Sequence, residues 1–199
     1  KKQNSIKDEI IELNRKYEEA ATLKNKLQSA QRILENSNNY NVESSFKLEK
    51  QREVYVFGKT TMMQSYKNEK VSLEKWIDII ESAKERNLNI QGDILVSYHT
   101  EMFGQFIHRD CEVEFSIVVE NDIKDAEVKK FGNFLAANAI HVGDYSDIVH
   151  TYISLKRWIE ENELMVDGPV TERFMLSPVD LPNTEQHIVK IIVPVKPRN

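Results

Sequence analysis

Apolar residues recur at two different periods along this chain, and the change between them marks its parts. Over residues 5–35, Ile6, Ile10, Leu13, Tyr17, Ala20, Leu27 and Leu34 step by threes and fours, interrupted at Lys24, in a charged segment without Gly or Pro. That spacing is an a/d seam sustained for about four heptads, in residue types that favour a helix. A long helix with one apolar stripe must bury it against something. The partner is either the chain's own domain or a second copy, and the sustained heptad favours a dimerising coiled coil over residues 1–37. Ser37-Asn38-Asn39-Tyr40-Asn41 ends the helix as a polar linker.

From about residue 43 the period alternates between 2 and 3.6. Ser44–Lys50 and Val54–Thr60 read as strands. Ser72 caps a helix whose stripe is Leu73, Trp76, Ile77, Ile80 and Ala83, closed by Asn89-Ile90-Gln91-Gly92. Ile94–His99 and Glu112–Val119 are strands, joined by the polar loop Thr100–Asp110 with Met102, Phe103, Phe106 and Ile107 in it. The order then repeats. Phe131–Val142 reads as a strand, Gly143–Ser146 as a turn, and Val149, Tyr152, Ile153, Leu155 and Ile159 as a second helical stripe. Val166-Asp167-Gly168-Pro169 breaks that helix, and Val170–Leu176 and Ile188–Val195 close the chain as strands.

A shift of 76 residues superimposes the two patterns. Leu73 falls on Val149, Trp76 on Tyr152, Ile77 on Ile153, Ile79 on Leu155, Gly92 on Gly168 and Tyr98 on Phe174. In the last strands Val113, Phe115, Ile117 and Val119 fall on Val189, Ile191, Val193 and Val195. The expected fold is therefore α+β: a long N-terminal helix, then a duplicated βαββ unit with pseudo-twofold symmetry and a central cleft. The domain spans 43–199, with halves at about 43–120 and 126–197.

The stretch "CEVEFSIVV" poses the functional question. Val113, Phe115, Ile117 and Val119 take one face of a strand, and Glu112, Glu114 and Ser116 take the other. In the second copy that other face is Ile188, Lys190 and Ile192. A half-exposed antiparallel strand has its polar face in water, whereas two halves curving together place the same residues in a cleft, where small ligands bind. The cleft placement makes Glu114 a carboxylate that holds cations and sets Lys190 beside it across the pseudo-axis. Aromatic faces add cation–π attraction of about 0.5–2 kcal/mol each. Tyr55, Phe57, Tyr98, Tyr145 and Phe174 are the candidate aromatic lining, against core packing as the plainer role. Trp76 and Trp158 read as packing residues.

Composition narrows the choices. An apolar share of 40% supports a core, and the net charge of −5 argues against the chain itself clamping nucleic-acid phosphates. The single cysteine, Cys111, excludes a disulfide framework and fits a reducing cytoplasm. No run approaches the roughly 20 apolar residues of a membrane span. The histidines His99, His108, His141, His150 and His187 lack metal-ligand spacing, and no cofactor fingerprint is present. His99 and Glu114 are placed to meet across neighbouring strands. The chain opens on a lysine inside an ongoing helix, as a piece of a longer protein would.

The stretch from His141 to Pro178 carries an ordered set of motifs: His141-x-Gly143-x-Tyr145, a helix with Tyr152, Trp158 and Ile159, then Gly168-Pro169, then Phe174 and Pro178. With the closing "IIVPV" and "CEVEFSIVV" as its first-half counterpart, this resembles the gyrase-inhibitor-like (GyrI-like) effector-binding domains over about residues 43–197. The resemblance implies two tandem halves and a cleft for large, aromatic, often cationic molecules. It also implies a buried Glu in the last strand, a place that Lys190 occupies here. In multidrug-sensing transcriptional regulators of the MerR family such a domain follows a long dimerising helix and a winged helix-turn-helix. By that resemblance the chain is the ligand-sensing and dimerisation part of a regulator, contacting DNA only through a domain outside it. The alternatives are a stand-alone binding or hydrolase domain, and a protein partner met by an acidic surface, as in gyrase inhibition.

Overall fold

The computed structural model describes residues 46–63, 69–107, 110–120, 126–177, 179–181 and 183–198, and in the N-terminal region residues 6–7, 9–17, 20–21, 24, 27–28 and 31. The N-terminal residues so described are helical, and Ile6, Ile10, Leu13, Tyr17 and Leu27 of the expected seam are exposed. Leu34 and the linker at 37–41 lie outside the described residues. Residues 1–40 and 41–199 form separate compact units.

The second unit is built on antiparallel strands β1 (Lys47–Lys50), β2 (Val54–Met63), β3 (Ile90–Tyr98), β4 (Cys111–Val119), β5 (Val128–Phe131), β6 (Leu135–Val142), β7 (Leu164–Val166), β8 (Val170–Leu176) and β9 (Ile188–Pro197). Helices α1 (Glu69–Glu85) and α2 (Ile148–Glu161) follow β2 and β6. The strand order is β1-β6-β9-β8-β3-β4-β2-β5, with β7 paired to the far end of β9.

This order is palindromic under the duplication, with β6, β9 and β8 mirroring β2, β4 and β3. Individual residues repeat as well. α1 is followed by Asn87 with φ 56°, and α2 by Glu163 with φ 55°, 76 positions on. Asn87 N–H donates to Lys84 O at 2.9 Å and Leu88 N–H to Ala83 O at 3.0 Å, the hydrogen-bond pair of a Schellman stop. A Cβ on Gly92 would meet Val118, and one on Gly168 would meet Pro194, its counterpart. At the centre, Val96 of β3 pairs with Glu172 of β8, and these two are themselves counterparts. The pseudo-twofold axis therefore passes through the Val96–Glu172 pair.

Both helices lie on the sheet face that carries Val96, Phe115, Ile117, Ile191 and Val193. Trp76, Ile79 and Ala83 from α1 and Ile148, Tyr152, Leu155 and Ile159 from α2 are buried there. Each large side chain so buried contributes about 1.5–3 kcal/mol. Three differences from the sequence reading follow from this packing. α1 starts at Glu69, so Ser72 lies inside its first turn instead of capping it. Leu73, Ile77 and Ile153, placed in the stripes, are exposed, because each helix turns its Ile79 or Ile148 side to the sheet. The strand expected over 131–142 divides at Gly132 (φ 116°) and Asn133 (φ 64°), where a Cβ on Gly132 would fall 2.3 Å from Arg52 O. Trp76 is buried and Trp158 packs on Phe46 at 6.2 Å, both as packing residues.

Candidate functional site

Strand alternation carries Val170, Glu172 and Phe174 onto the helix-covered face of β8, so a carboxylate stands where the first half has Val96. Glu172 is fully buried. Burying a carboxylate is unfavourable unless donors replace water, and the surrounding elements supply them. Tyr98, the last residue of β3, donates its hydroxyl to Glu172 Oε2 at 2.8 Å. Tyr145, in the 3-10 turn before α2, donates to the same oxygen at 2.6 Å. Tyr152, on the buried stripe of α2, donates to Oε1 at 2.7 Å. Gln105, in the 3-10 turn Gly104–Phe106 between β3 and β4, places Nε2 3.5 Å from Oε1. A carboxylate offers about four lone-pair sites, and these four donors address them. Each phenol proton goes to the carboxylate, so the 3.1 Å between the Tyr98 and Tyr145 hydroxyl oxygens is a contact within the cluster.

Aromatic rings surround this centre. Phe174 stacks at a tilt on Trp76, 4.7 Å between centroids, and lies 5.9 Å from Tyr145. Phe106 meets Tyr152 edge-on at 4.9 Å, with Phe103 6.3 Å from the same ring. Trp76 Nε1 is buried with no hydrogen-bond partner.

The His-x-Gly-x-Tyr motif holds Tyr145 in place. The Asp144 carbonyl only accepts, so His141 Nε2 carries the proton of their 2.9 Å bond, and Nδ1 accepts from the Thr151 hydroxyl at 3.0 Å. Asp144 also receives the Ser146 N–H at 2.8 Å. Burial pulls the His141 pKa below its ordinary value, against the opposing pull of its Asp144 bond. The neutral tautomer is thus the one that ties the turn to α2.

Of the residues singled out in the sequence, Tyr98, Tyr145 and Phe174 come together around Glu172. Tyr55 and Phe57 are on the same sheet face but on β2, outside β4, where Lys130 lies over Tyr55 and Arg86 over Phe57. Glu112, Glu114, Lys190 and Ile192 project from the opposite face. Glu114 and Lys190 are not neighbours. β3 and β8 stand between their strands, a separation of about 14 Å at roughly 4.8 Å per strand. Glu114 is buried against Lys129, with His99 Nε2 3.6 Å away as the strand pattern suggested. Lys190 pairs with Glu49 at 2.6 Å, Ile192 is buried, and Glu112 is exposed. The carboxylate on the helix side is therefore on β8, and the expectation of a last-strand site taken by Lys190 is corrected. Its sequence signal was the V-x-E-x-F alternation of residues 170–174, a charge in step with core residues.

A groove of about 360 Å³ lies between α1 and β2, bordered by Lys59, Asp78, Glu81, Ser82 and Phe115. It reaches Phe115, two strands from Glu172, and does not include the carboxylate. The tyrosine-ringed centre is closed in this structure. Among the described residues no group of His, Cys, Asp and Glu is placed to hold a metal, and no helix is long and apolar enough to cross a membrane.

The same architecture occurs in solved structures. The EcmrR C-terminal domain matches with a TM-score of 0.64 at 18% identity, covering 76% of this chain and 97% of that one. The chain of EcmrR in its DNA complex matches with a TM-score of 0.64 at 18% identity, covering 96% of this chain and 71% of that one. A hydrolase from Listeria innocua matches with a TM-score of 0.54 at 14% identity, covering 81% and 97%. No curated protein matches the chain. The GyrI-like small molecule binding domain matches residues 42–196. With the duplicated βαββ sheet and the carboxylate on its axis, that match over most of the sequence places the chain in the family of GyrI-like small molecule binding domains.

Proposed function

We propose that this chain is the ligand-sensing and dimerisation portion of a cytoplasmic transcriptional regulator of the MerR family, and that its effector is an aromatic, cationic small molecule held against Glu172. The observation that carries the ligand class is the buried carboxylate ringed by Tyr98, Tyr145 and Tyr152, with Trp76 and Phe174 beside it. A carboxylate in low dielectric attracts a cation more strongly than it would in water, and the aromatic faces add to that attraction. The tyrosines already fill the carboxylate with donors, so charge contributes more to recognition than new hydrogen bonds to Glu172. The centre is closed, so a ligand enters by selecting an arrangement in which the cover has moved, and that differential affinity is what a sensor transmits.

The exposed apolar seam of the N-terminal helix supports a homodimer through residues 1–37. DNA contact belongs to a segment ahead of that helix, as the DNA-bound EcmrR chain, of which 71% is matched, suggests. The domain spans 43–199.

Thermal unfolding of the chain with a cationic xanthene dye (rhodamine 6G) and an anionic one (fluorescein) tests the ligand class. At a hundred times Kd the cation stabilises by about 2.7 kcal/mol, a rise in Tm of roughly 5–10 °C, and fluorescein gives none. Equal shifts with both dyes, or none with either, would sink the assignment. A second reading, hydrolysis, is favoured by the Listeria innocua fold relative. Turnover of p-nitrophenyl esters that is lost in Glu172→Gln would put it first.

A further inference from the structure

Gln105 has a feature that holding a charge at Glu172 does not explain. Its side chain is 1% exposed, and one end of the amide faces Glu172. The carboxylate only accepts, so that end is the NH2 group. The other end, Oε1, is buried and has no hydrogen-bond partner. Buried polar atoms almost always find partners, and an orphaned acceptor beside a ligand site points to a donor that arrives with the ligand.

The position is fixed by its turn. Gly104 N–H donates to Glu101 O at 2.7 Å and Phe106 N–H to Phe103 O at 3.0 Å. A Cβ on Gly104 would stand 2.3 Å from Thr100 Oγ1, so any larger residue there displaces the Thr100 side chain. Phe106, the next residue along, is seated edge-on against Tyr152. Gln105 is thus held between two anchored neighbours, with its NH2 end toward Glu172 and Oε1 as the other end of the amide.

We propose that Gln105 determines specificity at this site: its Oε1 accepts a hydrogen bond from an N–H of the bound cation while Glu172 holds the positive charge. This rests on Glu172 being the ligand-binding carboxylate. The preferred class is then an aromatic cation that carries N–H groups, such as an aminophenothiazinium, an aminoacridinium or an aryl amidinium. A fully alkylated cation of the same ring leaves Oε1 unsatisfied and is discriminated against, because a site built to hydrogen-bond a donor rejects the analogue that lacks it.

Two dyes of the same ring and charge test this: thionine, with two NH2 groups, and methylene blue, fully N-methylated. Titrated by calorimetry into the 199-residue chain, thionine binds about tenfold more tightly or better. Gln105→Met, similar in volume and without the acceptor, brings the two affinities to within about twofold of each other. Glu172→Gln weakens both dyes. Equal binding of the two dyes by the unaltered chain overturns the role of Gln105, and that measurement needs no variant. So does a preference that survives in Gln105→Met, which would make it steric. In both cases loss of binding in Glu172→Gln leaves the site assignment standing. Unchanged binding of both dyes by Glu172→Gln removes the site assignment, and the role of Gln105 with it.

Discussion

Replacing Glu172 with glutamine separates its charge from its shape. The side chain keeps its size and planarity within the ring of Tyr98, Tyr145 and Tyr152. Two of the four donors then face an NH2 group, and the tyrosine hydroxyls can turn to accept from it. Removing a buried charge while keeping hydrogen bonding is often neutral or stabilising, so folding stability should move by only about 1–2 kcal/mol in either direction. Alanine is the poorer probe, because it takes the acceptor from three tyrosine hydroxyls, and each one left unsatisfied in the interior costs about 1–3 kcal/mol. The effect on a bound cation is larger. A unit charge about 5 Å from the carboxylate, at an effective dielectric constant near 20, gains about 3 kcal/mol. Residual attraction to the amide oxygen reduces that loss, so the Kd for methylene blue should rise roughly tenfold to a hundredfold. A neutral aromatic such as N-phenyl-1-naphthylamine has no such charge interaction, and its Kd should change by less than about threefold. Calorimetric titration of both ligands, with urea unfolding alongside, gives the three numbers. An unchanged methylene blue Kd would refute the electrostatic account, and equal losses for both ligands would mean that the variant had altered packing.

Three further outcomes are expected. His141 is held below its ordinary pKa of 6.5 by burial, so its contribution is complete above that pH and is lost as pH falls toward the folded-state value, where the unfolded chain takes the proton first. Chemical unfolding should therefore show a steeper loss between pH 7.5 and 5.5 in the parent than in His141→Asn, by up to about 1.4 kcal/mol per pH unit; parallel slopes would contradict it. Sedimentation should find a dimer at micromolar concentration and a monomer for Ile10→Asp with Leu13→Asp, and a monomeric parent would remove the coiled coil. Gly58→Ala should lower stability by about 1–3 kcal/mol, because its Cβ would meet Glu114 Oε1 and Ser116 Cβ at 2.9 Å; an unchanged Tm would show that the approach is not tight.

The sequence by itself determined the repeat. Apolar residues 76 positions apart must occupy equivalent places if two copies of one unit fold alike, and the structure repeats even the left-handed residues Asn87 and Glu163. It also determined that Val113, Phe115, Ile117 and Val119 share one face of β4 and Val189, Ile191, Val193 and Val195 one face of β9, since alternation is a property of the extended backbone. What it left undecided was which face the ligand side would be. Period 2 separates two faces of a strand but does not say where helices will lie, and the linear pattern drew attention to Glu114 while Glu172 was not singled out. Only the register of β3 against β8 set Glu172 on the pseudo-axis opposite Val96, and only the packing of α1 and α2 on that face closed it over. The same holds for the partners of each charge. Glu114 found Lys129 and Lys190 found Glu49, because two intervening strands separate the pair that the linear pattern had drawn together. Local periodicity fixes elements and faces; the neighbours of a buried charge are fixed by strand order, a long-range property that no local pattern encodes.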